Sequence, residues 1–357
     1  MATFVEQDAP ITPADQIMAA LAEPSFGKYF TDHLVCATWT AGRGWQEQMI
    51  VGQQLLRVHP GLAALHYGQE IFEGLKAYRH ADGSVWLFRP ERNAARFAGS
   101  ARRMAMPPLP ETDFVEAVTR LTELDAAWVP ASDGDRSLYL RPFMFASETL
   151  IGVREANRYT FLVLATPAAP FYPDPLRLWV TPTYSRAAQG GTGMAKCGGN
   201  YGASMAGERE AHEHGCNQVL WLDSAERRWV EECGTMNILL VTADDHLVTP
   251  ALGGTILDGI TRDSLLRLAP SHHLTPVERP VSLDELRSGV ADGTITEVLA
   301  CGTAAVVSPV VGLQAPDWEL TVADGRPGSH TMALREHLTD IQFGRRDDPF
   351  GWTRRVI

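Results

Sequence analysis

The sequence predicts a two-domain protein of mixed α/β or α+β class. Three observations carry that prediction. The length of 357 residues corresponds to about two domains at roughly 100–200 residues each. Strand-like and helix-like segments interleave without a regular strand–helix alternation. One Pro-rich stretch, residues 166–175 with Pro167, Pro170 and Pro173, interrupts the pattern, and prolines so closely spaced end both helices and central strands. The division is therefore an N-terminal α/β domain over 1–166, a linker over 167–175 and a C-terminal domain over 176–357.

In the N-terminal part, β-branched and aromatic runs at His33–Trp39, Ala77–Tyr78 and Val85–Phe88 read as strands, with Asp82-Gly83 as a hairpin turn between the last two. Helical periodicity follows Pro90 and includes Arg96, and a second helix spans Asp113–Ala126. Ser137–Phe145 and the apolar run Tyr159–Ala165 follow as extended segments. After the linker the pattern restarts with the strand-like LRLWVTPTY. Tyr201–His214 is helical and stops at Gly215, a C-cap signal. Strands are expected at Gln218–Leu222, Trp229–Glu232 and Asn237–Val241. Ser282-Leu-Asp-Glu285 is a capping box that opens a helix. Glu297–Val311 reads as one long apolar strand region broken at Gly302.

Composition excludes several functional classes. Hydrophobic residues make up 45% and charged residues 21%, enough apolar side chain to exclude disorder as the main state. The formal net charge of −12 lacks the footprint of a binder of nucleic acid or anionic membranes. No stretch approaches the roughly 18–20 apolar residues of a membrane span. The N-terminal segment has no basic region followed by an apolar core, so no signal peptide is expected. The five cysteines, Cys36, Cys197, Cys216, Cys233 and Cys301, are odd in number, and none forms a CxxC. That favours free thiols in a reducing cytoplasm over a disulfide scaffold or a zinc site.

Four C-terminal segments could carry chemistry. In GGTGMAKCGGNYGAS (190–204), glycines flank Lys196, and its nearest neighbours are uncharged. Desolvation there would lower the lysine pKa and free a nucleophilic amine, for example toward an aldehyde cofactor; a solvated loop lysine is the competing reading. A P-loop is excluded, because Ala195 and Cys197 flank the lysine in place of Gly and Ser/Thr. In WVEECGTMN (229–237), Glu231 and Glu232 stand at a strand end. Neighbouring strand side chains face opposite ways, so one of the two could hold a protonated ring nitrogen, or both could be solvated. In LDGITRDSLLRL (257–268), a helix begins near Ile260 after Gly259, and its first N–H groups could bind phosphate or simply be capped. In EVLACGTAAVVSP (297–309), Gly302-Thr303-Ala304 suits a second phosphate contact or a β-bulge. The N-terminal part adds LHYGQEIFEGLKAY (65–78), FRPERNAAR (88–96) and YLRP (139–142). Arg96 there could bind a phosphate or carboxylate or remain a solvated helix arginine.

Taken together and in this order, these segments resemble the branched-chain amino-acid aminotransferases, in the class IV group of pyridoxal 5′-phosphate enzymes. The resemblance runs from about Phe26 to near Ile341. It implies a smaller N-terminal α/β domain, a larger C-terminal domain with a barrel-like sheet, a cofactor between them, and a homodimer. It implies that Lys196 carries the cofactor as a Schiff base and moves the α-proton. Tyr201 would donate to the cofactor's phenolic oxygen, and Glu232 rather than Glu231 would pair with the pyridine nitrogen. Arg96, the backbone of Ile260 and Thr261, and Thr303 would hold the phosphate. Thr235, also near the cofactor, would lie with Tyr67 and Ala304 beside the substrate carboxylate. Phe26, Tyr139 and Arg141 would shape the side-chain pocket, and Ile151 and Val153 of the TLIGV loop would reach across the dimer. No metal is implied. The implied reaction is reversible transfer of the amino group of leucine, isoleucine or valine to 2-oxoglutarate, giving 2-keto acids and glutamate. Mammalian members carry a CxxC thiol pair where this chain has Ala305 and Ser308, so that redox switch is expected to be absent. Within the same fold, a D-amino-acid aminotransferase or an aminodeoxychorismate lyase would use the same lysine. A homologue that binds the cofactor without turnover is a third reading, against which Lys196, Tyr201, Glu232 and Arg96 stand together.

Overall fold

The computed structural model describes residues 4–132, 134–170 and 174–357. The chain divides into two compact units, each built on a nine-stranded sheet. The first unit comprises Met1–Phe171, Ala195–Gly198 and Asp340–Ile357, and the second Tyr172–Met194 and Gly199–Thr339. The Lys196 segment and the C-terminal tail belong to the first unit.

The sheet of the first unit runs in the order Val5–Glu6, Gly44–Gly52, His33–Thr40, Arg158–Ala168, Ser137–Ala146, Leu75–Arg79, Val85–Phe88 and Thr353–Arg355, with Glu70–Phe72 also pairing to Ser137–Ala146. Two prolines within it have local explanations. Pro142 falls between the residues paired to Leu75–Arg79 (138–140) and those paired to Glu70–Phe72 (143–145), so its missing N–H interrupts no ladder on that side. Pro167 pairs with Leu138, whereas pairing to His33–Thr40 stops at Val163. Beyond Val163 that strand has an edge, and an edge tolerates proline. The strand thus continues to Ala168, past the start expected for the linker; residues 171–173 of the expected linker lie outside the described residues. Helices Pro90–Arg103 and Glu111–Leu124 bury Phe97 and Phe114 against Phe161 of the sheet, with ring centroids 5.3–6.3 Å apart.

The second unit contains a closed six-stranded barrel. Its strands run Val230–Cys233, Gln218–Leu222, Leu176–Val180, Val306–Ala315, Ile295–Gly302 and Met236–Thr242, and the ring closes where Val230–Cys233 pairs with Met236–Thr242. Closure leaves those strands without an open edge. Inside it Leu178, Leu220, Ile238, Val298 and Leu313 belong to one buried apolar cluster. The region 297–311, expected as one strand with a break, is an antiparallel hairpin in which Gly302 pairs with Val306 around Thr303–Ala305. Helix Gly198–Glu213 starts three residues earlier than the periodicity indicated. Ser282 caps Leu283–Asp292 by accepting the Glu285 N–H at 3.0 Å. The buried Glu297 caps helix Ser329–Gln342, accepting the N–H groups of His330 at 2.9 Å and Thr331 at 2.8 Å, so a strand carboxylate replaces a helix N-cap. Among the described residues no helix is long and apolar enough to cross a membrane.

Candidate active site

The first unit assembles a cluster around Lys196. The segment 195–198 is anchored by its own backbone: the Lys196 N–H donates to Ser100 Oγ at 2.9 Å, and its carbonyl accepts the Phe72 N–H at 2.9 Å. The side chain lies over the Phe72 ring, with Nζ 4.9 Å from the centroid. Burial, and then the nearby Arg96 charge, push the Lys196 amine down to about 8, while Glu73 acts in the opposite sense. This lysine is therefore readily deprotonated, and the solvated-loop reading fails. The chain has only three lysines against 28 arginines; Lys76 is buried in a strand and Lys28 is exposed.

Arg96 faces inward from its helix. It grips Glu73 in a two-pronged ion pair, Nε to Oε1 at 2.6 Å and Nη2 to Oε2 at 2.8 Å. Glu73 is fully buried and also accepts from Asn93 Nδ2 at 2.7 Å. Burial alone would raise its carboxyl, but Arg96, with Lys196 and Asn93, holds it below the usual carboxylate range. Tyr139 and Arg141 share a strand face. Arg141 Nη2 donates to Tyr139 Oη at 3.2 Å, and the guanidinium lies 4.8 Å from the Phe72 ring centroid. Phe26 packs edge-on to Tyr139 at 4.8 Å. A Cβ on Gly74 would overlap the Tyr139 hydroxyl, which is why Gly follows Glu73. Lys196, Arg96, Tyr139, Arg141 and Phe26 thus come together.

Tyr67, Ile151 and Val153 stand on the surface of this unit. Tyr67 ends helix Ala63–Tyr67, closed by Gly68 in the left-handed region. The TLIGV loop is pinned beside that helix by the Leu150 N–H to Gly61 carbonyl bond at 2.9 Å and the Leu62–Thr149 bridge.

In the second unit, Glu232 lies in a row across three barrel strands, paired to Asn237, which in turn pairs to Cys301. Glu232 is 3% exposed. Arg186 Nε lies 2.9 Å from its Oε2, and Oε1 accepts the Leu257 N–H at 2.7 Å and Asn237 Nδ2 at 3.4 Å. Arg186 also donates to the Thr255 carbonyl. Glu231 is equally enclosed, at 5% exposed, so neither glutamate is a solvated strand end. Burial raises the Glu231 carboxyl, against the opposing effects of Thr255 and Arg186.

Two residues after Glu232, the Gly234-Thr235 turn leaves Thr235 exposed. The Cys301–Asn237 pairing brings the Thr303–Ala304 turn to the same end of the barrel, where the Cβ position of Gly302 is 3.4 Å from Met236 Cγ. Helix Ile260–Leu268 begins after Gly259 with no side-chain cap, so Ile260 and Thr261 stand in its first turn. Gly259 is required because a Cβ there would overlap Asn237 Oδ1. Tyr201 is half-buried in the first turn of Gly198–Glu213. Sequence reasoning assigned no role to the two charged partners in these clusters, Glu73 and Arg186. The first lies in the quoted FEGLKAY segment, and the second stands four residues before the Gly-rich stretch.

The amino-transferase class IV family model matches residues 70–313. The branched-chain-amino-acid aminotransferase of Mycolicibacterium smegmatis is 50% identical over 342 residues, covering 94% of this chain and 93% of that protein. Branched-chain-amino-acid transaminase 1 of Bacillus subtilis is 45% identical over 335 residues, covering 93% and 94%. Among solved structures, the branched-chain amino acid aminotransferase of T.th. complexed with N-(5′-phosphopyridoxyl)-L-glutamate superposes with a TM-score of 0.73 at 28% identity, over 90% of this chain and 98% of that one. The Escherichia coli enzyme gives 0.74 at 25% identity, over 90% and 99%. With a half-buried, readily deprotonated lysine on an arginine–glutamate platform and near-full-length matches of this kind, the chain belongs to the branched-chain-amino-acid aminotransferases of class IV.

Proposed function

We propose that this protein transfers the amino group of leucine, isoleucine or valine to 2-oxoglutarate, reversibly, with pyridoxal 5′-phosphate as cofactor and Lys196 as the reacting amine. The observation that carries the residue assignment is the Lys196 amine, pushed down to about 8 on an apolar ring. Near pH 8 about half of such a group is neutral, both nucleophilic and basic.

The residues present fit the cofactor's functional groups. Lys196 suits its aldehyde. The Glu232 carboxylate, an acceptor on both oxygens and held beside Arg186 with the Leu257 N–H on Oε1, suits a ring N–H. Arg96, the start of helix Ile260–Leu268 and Thr303 suit a phosphate. When bound, the cofactor supplies an aldehyde that takes up the amino group and a ring that draws electrons from the substrate α-carbon.

The chain's own residues do the rest. Lys196 Nζ would take the α-proton from the donor amino acid and deliver it to the cofactor's aldehyde carbon, and in the second half-reaction would carry a proton the opposite way. Glu232, fixed by Arg186 and the Leu257 N–H, would hold the proton on the ring nitrogen. Tyr201 would donate to the cofactor's phenolic oxygen, and Thr235, Ala304 and Tyr67 would flank the substrate carboxylate. Phe26 and Tyr139 give the apolar wall for a branched chain, and Arg141 meets the second carboxylate of glutamate. Exposed apolar side chains at Ile151 and Val153, 72% and 88% exposed, support a homodimer in which this loop is covered. Free thiols at all five cysteines support a reducing compartment such as the cytoplasm.

An amino-donor screen with 2-oxoglutarate tests the substrate class: leucine, isoleucine and valine should yield glutamate, and turnover confined to D-amino acids would reject the assignment. A second test separates the adjacent glutamates. Glu232→Gln removes the anion facing Arg186 and should lower the rate at least about 10²-fold, the scale of one key electrostatic partner. Glu231→Gln should lose little, because burial favours a neutral carboxyl there and glutamine has the same shape. If stopped-flow rates show the two effects exchanged, the register of this strand toward the cofactor is wrong by one.

A further inference from the structure

Phe72, Glu73 and Gly74 form a short platform, and each touches the Lys196 cluster. Phe72 bonds the Lys196 carbonyl and underlies Nζ. Gly74 makes room for Tyr139. Glu73 is 0% exposed, and its carboxylate accepts from Arg96 twice, from Asn93 Nδ2 and from the Gly74 N–H at 3.1 Å. Its backbone N–H donates to the Pro142 carbonyl at 2.7 Å, on the strand that carries Tyr139 and Arg141. Side chain and main chain are both immobilised, and the ion pair with Arg96 is nearly desolvated, at 10% and 0% side-chain exposure.

We propose that Glu73 is a positioning residue for the reaction: it holds the Arg96 guanidinium in one orientation and offsets its charge at the Lys196 amine. The inference rests on the reading of Lys196 as the reacting amine. A cation beside a lysine disfavours the ammonium form, and an anion favours it. Arg96 and Glu73 act on Lys196 in those opposite senses, so the ion pair moderates the effect of the guanidinium on the amine. A phosphate at Arg96 meets a guanidinium whose plane is already fixed, which reduces the ordering cost of binding.

The test uses the full chain freed of cofactor, with acetic anhydride labelling from pH 6 to 10 and peptide mass spectrometry, and the exposed Lys28 as internal reference. Wild-type Lys196 should label with a midpoint near 8. Glu73→Gln leaves Arg96 uncompensated and should lower that midpoint by about one pH unit or more, and Glu73→Asp should recover at least half of the shift. In the same variants, the preference for pyridoxal 5′-phosphate over pyridoxal should fall about tenfold or more in Glu73→Gln and less in Glu73→Asp. An unchanged midpoint in folded Glu73→Gln overturns the proposal, as does an equal shift in both variants. Should Glu73→Gln fail to fold, Arg96→Gln decides: it leaves Glu73 as the uncompensated charge and must raise the midpoint, and a midpoint that stays or falls overturns the offset. Turnover surviving in Lys196→Ala would reject the reading of Lys196, whereas the labelling midpoints report on Glu73 without any turnover.

Discussion

Lys196→Ala is expected to abolish transamination while leaving the fold intact. The two hydrogen bonds that fix this segment, to Ser100 Oγ and from the Phe72 N–H, are made by the Lys196 backbone, and alanine keeps both. What is lost is the only amine in the cluster. General-base catalysis alone accounts for about 10²–10⁴ in rate, and the covalent route adds to that, so a loss of at least about 10⁴-fold is expected. Neither remaining lysine substitutes: Lys76 is locked in the strand Leu75–Arg79 opposite Tyr139, and Lys28 is exposed. Pyridoxal 5′-phosphate should still bind through its phosphate. Single-turnover absorbance with leucine measures the half-reaction, and a thermal melt checks the fold. Near-wild-type turnover in a folded variant would remove the assignment of this residue.

How far the sequence anticipated these features depends on whether the signal was local. The Ser282 cap could be read because a few consecutive residues determine it. Its reciprocal half could not, since the Glu285 carboxylate turns to Arg279 at 3.0 Å, a partner outside the motif. Lys196 was conspicuous because glycines flank it. That its segment folds into the N-terminal unit was not, because that depends on long-range bonds to Phe72 and Ser100. The enclosure of both Glu231 and Glu232 follows from closure of the barrel through the Glu232–Asn237 pairing, and a period of two residues carries no information about closure. Glu73 sits next to the three-residue strand Glu70–Phe72, too short for a periodic signal, and Arg186 lies outside any helix or strand. The prolines at 142 and 167 illustrate the same limit. Each is compatible with its strand only because a neighbouring strand ends or changes there.

The second large effect is expected at Arg141, and it concerns how one pocket accepts both a branched apolar chain and a carboxylate. A carboxylate entering a mostly apolar pocket needs a charged or hydrogen-bonding partner, or its desolvation goes uncompensated. Arg141 could have been a structural residue tied to backbone carbonyls. Instead its Nη2 donates to the Tyr139 hydroxyl, its face stacks on the Phe72 and Tyr139 rings at 4.8 and 5.4 Å, and its Nε is buried with no hydrogen-bond partner among the described residues. A buried donor without a partner is costly, and an incoming carboxylate would satisfy it in the two-pronged geometry that guanidinium favours. Aromatic stacking holds the group in place without using its donors. Arg141→Met keeps the length and the apolar contact with Phe72 while removing charge and donors. It should raise KM for 2-oxoglutarate and glutamate, with leucine affected far less. A fully desolvated pair corresponds to about 2–5 kcal/mol and a water-exposed one to well under about 1 kcal/mol. Arg141 is half-buried, which places the expectation at the lower end of the first range, about 2 kcal/mol or roughly thirtyfold. Single-turnover spectroscopy of the leucine and glutamate half-reactions, measured separately, decides the matter: equal impairment of the two would mean that Arg141 only braces the strand and that other donors receive the second carboxylate.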